Sequence, residues 1–260
     1  SSDCAVRNHF FFIFDIVMPQ KILYNYIHAL YESITDSDTV SIICITNNAI
    51  FATAINGLLV FDVFDNQSSV RSLSHYVIRK KDLLEVVLPS ISSIYALTPA
   101  ELEPISNPFF SLKCVLQTIS LNSETEYESA FLNVKFSCLM FFYRPICNLQ
   151  VSEAENLGES LQESNIIVHF GGPPEFRRFS AVSHYCFGCI FETTPIIKFD
   201  LNTTPPQTNN NCNNFNPNDA IFDAFKDSNC QPSIIKHLIK LSRPNSKVRL
   251  VAPRSITFTK

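Results

Sequence analysis

The chain has 260 residues, of which 46% are hydrophobic and only 17% are charged, and its net charge is −4. This length allows one large domain or two small ones with a sizeable core, and no stretch is long and apolar enough to span a bilayer. The low charged fraction has two interpretations. Some apolar surface is covered by a partner, or the sequence is divergent or is a piece cut from a larger protein; a first residue of Ser favours a piece.

Nine cysteines are scattered along the chain, and most lie in apolar runs, where a free thiol behaves as a small buried hydrophobe. The Phe-rich start lacks the basic leader and the small-residue cleavage site of a secretory signal. We therefore expect a reducing, cytosolic compartment.

The first predicted element is a Phe-rich strand, Phe10–Val17, that is apolar on both faces and contains Asp15. A short continuous apolar run is typical of a strand buried inside a parallel sheet, with helices on both faces. Asp15 then lies at the carboxyl end, where open α/β sheets usually place their sites. We expect this strand to pair beside Ile42–Ile45 and Ile166–Phe170 and to organise the core.

A helix and a hairpin are predicted next. Pro19 suits the first turn of a helix, and an apolar stripe follows at spacings of three and four residues. The stripe consists of Leu23, Tyr26, Ile27, Leu30 and Ile34. Val40–Thr46 predicts a second strand, Asn47-Asn48 accepts the positive φ of a tight turn, and Ala49–Ala54 returns as an antiparallel third strand.

The middle of the chain mixes helical and extended patterns. Leu83–Leu97 is helical but interrupted by Pro89, and Leu112–Ile119 predicts another helix. The very apolar stretch from about Tyr127 to Tyr143 predicts a buried helix. Asn165–Phe170 predicts a strand that stops at Gly171-Gly172-Pro173-Pro174.

The pattern is weaker towards the end. Tyr185–Leu201 contains two strand-like runs, and Asn202–Asn218 is a polar, Asn-rich segment that predicts a mobile loop. Ile234–Leu241 has helical spacing, and Lys247–Val251 predicts a strand.

The order strand, helix, strand, hairpin, strand resembles the start of doubly wound von Willebrand A-type domains. In the metal-binding members, the first strand ends in an Asp-x-Ser-x-Ser loop whose oxygens hold a divalent cation. Here the loop reads Asp15-Ile16-Val17-Met18-Pro19 and lacks both hydroxyls. We therefore predict no metal at Asp15.

Six stretches also occur in an order that fits one intracellular family. They are the opening strand ending at Asp15; Ser74–Arg79 with Lys81-Asp82; Asn107–Phe110; Ile166–Pro173; Phe187-Gly188, Glu192 and Ile196–Phe199; and Ile234–Arg254. In these stretches the chain resembles the trunk of the COPII inner coat, specifically the subunit that activates the Sar-type GTPase.

The resemblance implies an α/β fold in two parts. Residues 1–180 would form a von Willebrand A-like trunk, and residues 181–260 a β-sandwich portion with the Asn-rich loop. The doubly wound sheet would be incomplete, because the chain passes almost directly from Gly171-Gly172 to Phe187-Gly188. The resemblance also implies a strand at Ile234–Leu241, in place of the locally predicted helix.

The function implied by the resemblance is that of a non-enzymatic component of the COPII vesicle coat in transport from the endoplasmic reticulum to the Golgi. Its partners would be the cargo-selecting inner-coat subunit, the Sar-type GTPase and an anionic endoplasmic reticulum membrane, on which it would lie peripherally from the cytoplasm. It implies neither a cofactor nor a nucleic-acid partner. Nothing in these residues matches the family's zinc ribbon or its catalytic arginine, so we name no catalytic residue and expect no GTPase activation by this segment alone.

Two other classes of function stay open. The first is a metal-free A-type interaction module of another intracellular complex. The second is a thiol enzyme or metal site at Cys186-x-x-Cys189 beside His184. A structural zinc would need four ligands, and a redox Cys-x-x-Cys would need to lie at the start of a helix. The sequence around these residues provides neither, so no role is assigned to either thiol. The spacing of His28, His169 and His237 likewise gives no support for a Cys–His hydrolase.

The end of the chain is basic. Residues 1–165 hold 9 basic and 18 acidic residues, whereas residues 166–260 hold 11 and 6. No acid follows Asp227, and the basic residues there are Lys236, Lys240, Arg243, Lys247, Arg249, Arg254 and Lys260. Together with Arg177-Arg178, this stretch is predicted either to contact an anionic surface or to be an ordinary solvated face.

Overall fold

The computed structural model describes residues 7–66, 69–105, 107–123, 134–145, 150–172, 190–192 and 232–243. The strands are β1 (Arg7–Asp15), β2 (Thr39–Ile45), β3 (Ala49–Ile55), β4 (Leu58–Phe64), β5 (Ile78–Arg79), β6 (Val134–Phe141), β7 (Ile166–Gly172) and β8 (Ile190–Glu192). The helices are α1 (Gln20–Ser33), α2 (Lys80–Asp82), α3 (Ile91–Tyr95), α4 (Phe110–Ser123), α5 (Val151–Glu163) and α6 (Ser233–Ser242).

These strands form a single mixed sheet in the order β4-β3-β2-β1-β6-β7-β8, and the short β5 pairs with β2. Strands β2, β1, β6, β7 and β8 run parallel, whereas β3 and β4 complete an antiparallel meander at one edge. The predicted α/β fold is confirmed, and the sheet continues past β7 to β8, beyond the point where it was expected to be incomplete.

The Phe-rich strand β1 is the centre of this sheet, as predicted. Phe10, Phe12 and Phe14 point into the core beneath α1, whereas Phe11 and Ile13 point into the opposite core beneath α4 and α5, and all five are fully buried. Because successive side chains of a strand alternate between its faces, one unbroken apolar run supplies both cores. Removing any of these rings would leave a cavity and cost about 3–5 kcal/mol.

The partners of β1 differ in part from the prediction. β1 pairs with β2, so that Phe12 lies opposite Ile42, but its other neighbour is β6 rather than β7. The segment Val134–Phe141, which was predicted to be part of a helix, is this intervening strand. A central strand that is buried on both faces has no period to distinguish it from a buried helix, so the prediction of a helix to Tyr143 was wrong.

The hairpins place their positive φ angles elsewhere than predicted. The turn at Asn47-Asn48 does connect β2 to an antiparallel β3, but neither residue has positive φ. The positive φ angles occur at Asn56 (51°) and Gly57 (75°), in the two-residue turn between β3 and β4. Asn-Gly is the preferred sequence of such turns, and the edge strand β4 that follows it was not predicted.

Helices cover both faces of the sheet. Helix α1 begins after Pro19 and buries the predicted stripe. The helix predicted at Leu112–Ile119 is α4, which is longer at both ends than predicted. The region broken by Pro89 consists of short helical pieces from Lys80 to Tyr95 that pack against α1. In the described part of the chain, no helix has the length and apolar character that a membrane crossing requires.

Residues 181–260 are described only at β8 and α6. β8 extends the sheet beside β7, and α6 packs against α1, where Ile235, Leu238 and Ile239 join the same core as β1. The helix predicted from spacing at Ile234–Leu241 is therefore correct, and the strand implied there by the family resemblance is wrong. The division at residue 180, the β-sandwich and the Asn-rich loop lie outside the described residues and stay predictions.

Candidate functional site

The carboxyl ends of β1, β2 and β6 meet at one edge of the sheet, and Asp15 lies at their centre. Asp15 is the last residue of β1, while Ile45 ends β2, and Tyr143 and Arg144 follow β6. Parallel strands bring their carboxyl ends together, so three segments that are distant in sequence converge on one carboxylate. This is the position at which the sequence placed a possible active-site acid.

The Asp15 carboxylate is fully buried and accepts hydrogen bonds at both oxygens. Oδ2 accepts from the backbone amides of Tyr143 at 3.2 Å and Arg144 at 3.0 Å. Oδ1 accepts from the Arg144 Nε at 2.8 Å and, at the longer distance of 3.4 Å, from the backbone amide of Val17. Each oxygen of this buried carboxylate therefore has hydrogen-bond donors, as a buried charged group requires.

The Arg144 guanidinium is equally buried, with a side-chain exposure of 1%. Besides its bond to Asp15, it donates to three carbonyl oxygens: Glu103 at 2.8 Å, Ile45 at 3.1 Å and Thr46 at 2.8 Å. Four of its N–H bonds are thus directed at acceptors that belong to three different segments. The planar fork of arginine suits this arrangement, which the single point of a lysine ammonium would not satisfy.

The pair places a covalently attached cation against the carboxylate that a metal-binding loop would use. The structure therefore adds a second physical reason for the predicted absence of a metal at Asp15, since both carboxylate oxygens already have donors and the charge is neutralised. The missing hydroxyls at Val17 and Pro19 were the first reason. In the described residues, no group of three or more His, Cys, Asp or Glu side chains is arranged to hold a metal ion.

The electrostatic effect of this centre reaches its neighbours. Burial, followed by the negative charge of Asp15, raises the pKa of the Cys44 thiol well above its usual value, and the Arg144 charge opposes this only in part. Burial likewise raises the pKa of the Tyr95 hydroxyl, which donates to the carbonyl oxygen of Met18. Both groups are therefore neutral and unreactive near pH 7, and neither is suited to nucleophilic chemistry.

A partly enclosed cavity of about 170 Å³ lies beside this pair. It is bounded by the β2–β3 turn, the end of β4, the segment around Glu103 and the start of α4. Its lining residues are Ile45, Thr46, Asn47, Asn48, Ala49, Asp65, Glu103, Pro104, Ile105, Asn107, Pro108, Phe110, Ser111 and Phe142. Its position at the carboxyl edge is where an open α/β sheet usually binds a ligand.

The Asn47 side chain fixes one wall of the cavity. Its Nδ2 donates to the Glu101 carbonyl oxygen at 3.0 Å, and its Oδ1 accepts from the Glu103 amide at 3.0 Å. These two bonds hold the 101–103 segment against the β2–β3 turn. Arg144 donates to the carbonyl oxygen of Glu103 from behind, so the wall is held on both sides.

The other candidates from the sequence are placed differently. Cys186, Cys189 and His184 lie outside the described residues, as does Arg177-Arg178. His169 is buried against α6, where its Nε2 lies 2.9 Å from the Ser242 hydroxyl, and burial lowers its pKa to about 3. His28 lies on the surface of α1, with its Nδ1 3.6 Å from Glu32. The structure does not bring these two histidines together.

The thiols that the structure describes are all buried, as the sequence indicated for most of the cysteines. They are Cys44, Cys114 and Cys138. Burial raises the pKa of Cys114 to about 12. A thiol that is neither exposed nor ionised cannot act as a nucleophile at neutral pH, so the thiol-enzyme hypothesis receives no support from these three residues.

Arg144 is the functional residue that the sequence reasoning missed. It is the single basic residue between Lys135 and Arg177, and it directly follows the apolar run that ends at Tyr143. An arginine directly after a buried strand is a signal, because its guanidinium needs a partner at the sheet edge. The signal was hidden because that run was interpreted as a helix.

The fold defined by this sheet and its helices is von Willebrand A-like. Among solved structures, the chain is similar to the human COPII-coat protein Sec24c, with a TM-score of 0.50 and 10% identity over 72% of this chain and 30% of that chain. It is also similar to the SpRpn10 VWA domain (TM-score 0.44, 8% identity, 93% and 98% covered) and to the TFIIH p34 N-terminal domain (TM-score 0.46, 14% identity, 71% and 89% covered).

The chain thus spans less than a third of the Sec24c chain. No protein-family model matches the sequence. The curated proteins likewise contain no match. At these identities the likeness concerns the fold.

Proposed function

We propose that this chain is a metal-independent protein-interaction module of a COPII-type vesicle coat, from the family of the GTPase-activating subunit. The observation that carries the proposal is the Asp15–Arg144 pair at the centre of an A-type sheet, because it supplies the cation of the site from within the chain. The order of the resembling stretches supports the same family, and the structural likeness to Sec24c agrees with it at the level of fold.

In this role the chain binds the cargo-selecting inner-coat subunit and the Sar-type GTPase, and it acts as a scaffold rather than as a catalyst. Among the described residues, the acid at the carboxyl edge of the sheet, Asp15, is paired with Arg144 inside a packed core. A GTPase activator instead presents an arginine to the transferring phosphate. Arg144 cannot serve in that way, because it is fully buried and bound to four acceptors.

Helix α6 offers little positive charge for contact with a membrane. Of the basic residues on α6, Lys236 lies 2.9 Å from Glu32, and the half-buried Arg243 lies 2.8 Å from Asp38. Lys240 is exposed, and no ion pair with an acid is found for it among the described residues. Each basic residue near an anionic surface contributes only about 1 kcal/mol, so α6 adds little, and peripheral binding depends on the remaining basic residues.

The test is a pull-down with purified partners. The tagged chain is incubated with the cargo-selecting subunit and, separately, with the Sar-type GTPase loaded with GDP or with a non-hydrolysable GTP analogue. We expect retention of at least one partner in the presence of EDTA, because the site carries its own cation. If neither partner is retained, the COPII proposal fails, and a metal-free A-type module of another intracellular complex becomes the better assignment.

A further inference from the structure

We propose that two copies of this chain pair through the edge strand β4, so that their sheets join into one continuous sheet across a two-fold axis. The proposal goes beyond the coat role, because it does not depend on which other proteins the chain binds. It is argued from the open edge of β4, from its exposed apolar side chains and from the way in which its sequence complements itself.

Strand β4 forms an open edge of the sheet. Within the part of the chain that the structure describes, it pairs with β3 alone, over its seven residues. Alternate residues of an antiparallel strand direct their N–H and C=O groups away from the neighbouring strand. The outer side of β4 therefore presents a row of backbone donors and acceptors, which another extended strand satisfies along its whole length.

The devices that usually protect an edge strand are missing from β4. Edge strands commonly carry Lys, Pro or a bulge, whereas β4 has the sequence Leu-Leu-Val-Phe-Asp-Val-Phe and pairs with β3 without a bulge. Its one charged residue, Asp62, accepts a hydrogen bond from the hydroxyl of the buried Tyr76 at 3.3 Å. This edge is therefore apolar and accessible to a further strand.

Exposed apolar side chains lie on both faces of the β3–β4 hairpin. Ile55, Leu58 and Val60 lie on one face and are 49%, 67% and 42% exposed, and Val63 lies on the other face and is 55% exposed. These four are the majority of the seven exposed large hydrophobic side chains among the described residues. Exposed apolar surface that is concentrated in this way marks an interaction site.

The occupant that fits this edge is the β4 strand of a second copy. A two-fold axis perpendicular to the sheet makes the two strands antiparallel and places residues of the same face opposite each other. In the register that overlaps the whole of β4, Phe61 lies on the axis, opposite the same residue of the second copy. Leu59 then lies opposite Val63. Leu58 lies opposite Phe64, so each of these pairs is apolar, and aromatic and β-branched cross-strand pairs stabilise a sheet.

The charge pattern selects the same register. Asp62 lies opposite Val60 of the second copy, so the two acids of the dimer do not face each other. A shift by two residues in one direction would place Asp62 opposite Asp62, and like charges directly opposite each other are destabilising. The opposite shift would avoid this but would shorten the overlap to residues 58–62.

The assembly closes at two chains and is weak. Each chain has one β4, and pairing covers it in both copies, so this surface cannot add a third chain. One strand pair with its flanking apolar side chains falls below the total of about 1,200 Å² that stable interfaces bury. We therefore expect a transient dimer with a dissociation constant of about 10–100 µM.

The experiment is sedimentation velocity of the whole chain from about 1 µM to about 300 µM, a range that brackets the expected dissociation constant. Hydrogen–deuterium exchange is measured at both ends of this range. We expect a monomer–dimer equilibrium without larger species. The amides of β4 should exchange more slowly at the high concentration, because some of them then donate across the two-fold axis.

Substitutions at two exposed positions test the register. Val60→Asp places an acid opposite Asp62 of the second copy, whereas Val60→Lys places a base there. We expect the dissociation constant of Val60→Lys to be about tenfold lower than that of Val60→Asp. Val63→Lys introduces a charge into the apolar pair with Leu59 and is expected to raise the dissociation constant about tenfold relative to the native chain.

Val151→Lys on α5 is the matched control, because it is the same substitution at a valine that is 50% exposed. We expect its dissociation constant to equal that of the native chain. Far-UV circular dichroism of each variant checks that the substitution leaves the fold intact.

A monomer at every concentration would overturn the proposal, and so would a dimer whose β4 amides exchange as fast as those of the monomer. Equal dissociation constants for the two Val60 variants, equal weakening by the Val151→Lys control, or assemblies of more than two chains would overturn it as well. Because the solution contains this chain alone, the outcome is independent of the pull-down with coat proteins.

Discussion

Replacing Arg144 by Met tests the central claim that the buried ion pair holds the sheet edge together. The substitution keeps an unbranched stem of similar length but removes the charge and four hydrogen bonds, one to Asp15 and three to carbonyl oxygens. At about 1 kcal/mol per bond, the expected loss is about 4 kcal/mol. This value agrees with the loss in stability on removing one member of a buried ion pair, which is about 3–5 kcal/mol.

The assay is urea unfolding at pH 7, followed by far-UV circular dichroism because the chain has no Trp. Lys236→Met is the matched control, since it removes a basic side chain whose contact with Glu32 is exposed to solvent. We expect no measurable change in the urea midpoint for the control. Arg144→Lys keeps the charge but not the fork, and we expect a loss between those of the control and Arg144→Met.

A double-mutant cycle with Asp15→Asn separates the pair from the surrounding packing. Once Arg144 is Met, the Asp15 carboxylate no longer faces a cation. Replacing that carboxylate by an amide therefore lowers the free energy of unfolding less than it does in the native chain. We expect the double variant to lose less than the two single losses combined, by about 1–3 kcal/mol. Strict additivity, or a loss below about 1 kcal/mol for Arg144→Met, would refute the argument.

Three further predictions follow from the fold. Burial lowers the pKa values of His9 and His169 to about 3. As the pH drops, the unfolded chain therefore binds protons at these histidines before the folded chain does. The free energy of unfolding should fall by about 1.4 kcal/mol per pH unit for each histidine between about pH 6.5 and pH 3. His169→Gln should halve this slope between pH 6 and pH 4, and an unchanged slope would disprove the assignment. Gly57→Ala should lower the free energy of unfolding in urea by about 1–2 kcal/mol, because Gly57 has a φ of 75°, which a residue with a Cβ adopts only with strain. No atom lies within 4 Å of the new Cβ, so the loss would come from the backbone alone, and a neutral effect would contradict this turn. The three buried thiols should resist iodoacetamide in the native chain and react in urea, as peptide mapping would show, and rapid native labelling of any of them would contradict their burial.

Local patterns that have a period were predicted correctly from the sequence. The stripe of α1 repeats at helical spacing, and the structure buries it as predicted. The same reasoning succeeded at Ile234–Leu241, where spacing was more reliable than family resemblance because the apolar side chains of α6 have to reach the core on one face only.

The failures at β6 and at the candidate site have one physical cause. β6 is apolar on both faces because it lies between β1 and β7, and tertiary position rather than local pattern decides its structure. Once β6 was interpreted as a helix, its carboxyl end could not be placed beside Asp15, and Arg144 was not recognised as the partner of that acid. The cavity was unpredictable for the same reason, since its walls come from segments that only the correct strand order brings together.

The guanidinium at the sheet edge also limits how this protein can be regulated. A site that holds a metal ion has two states, loaded and empty, and its population follows the free concentration of the ion. The charge of Arg144 is attached to the backbone through its own side chain, so a chelator cannot remove it. The charge arrangement at the carboxyl edge therefore does not depend on the supply of a metal ion.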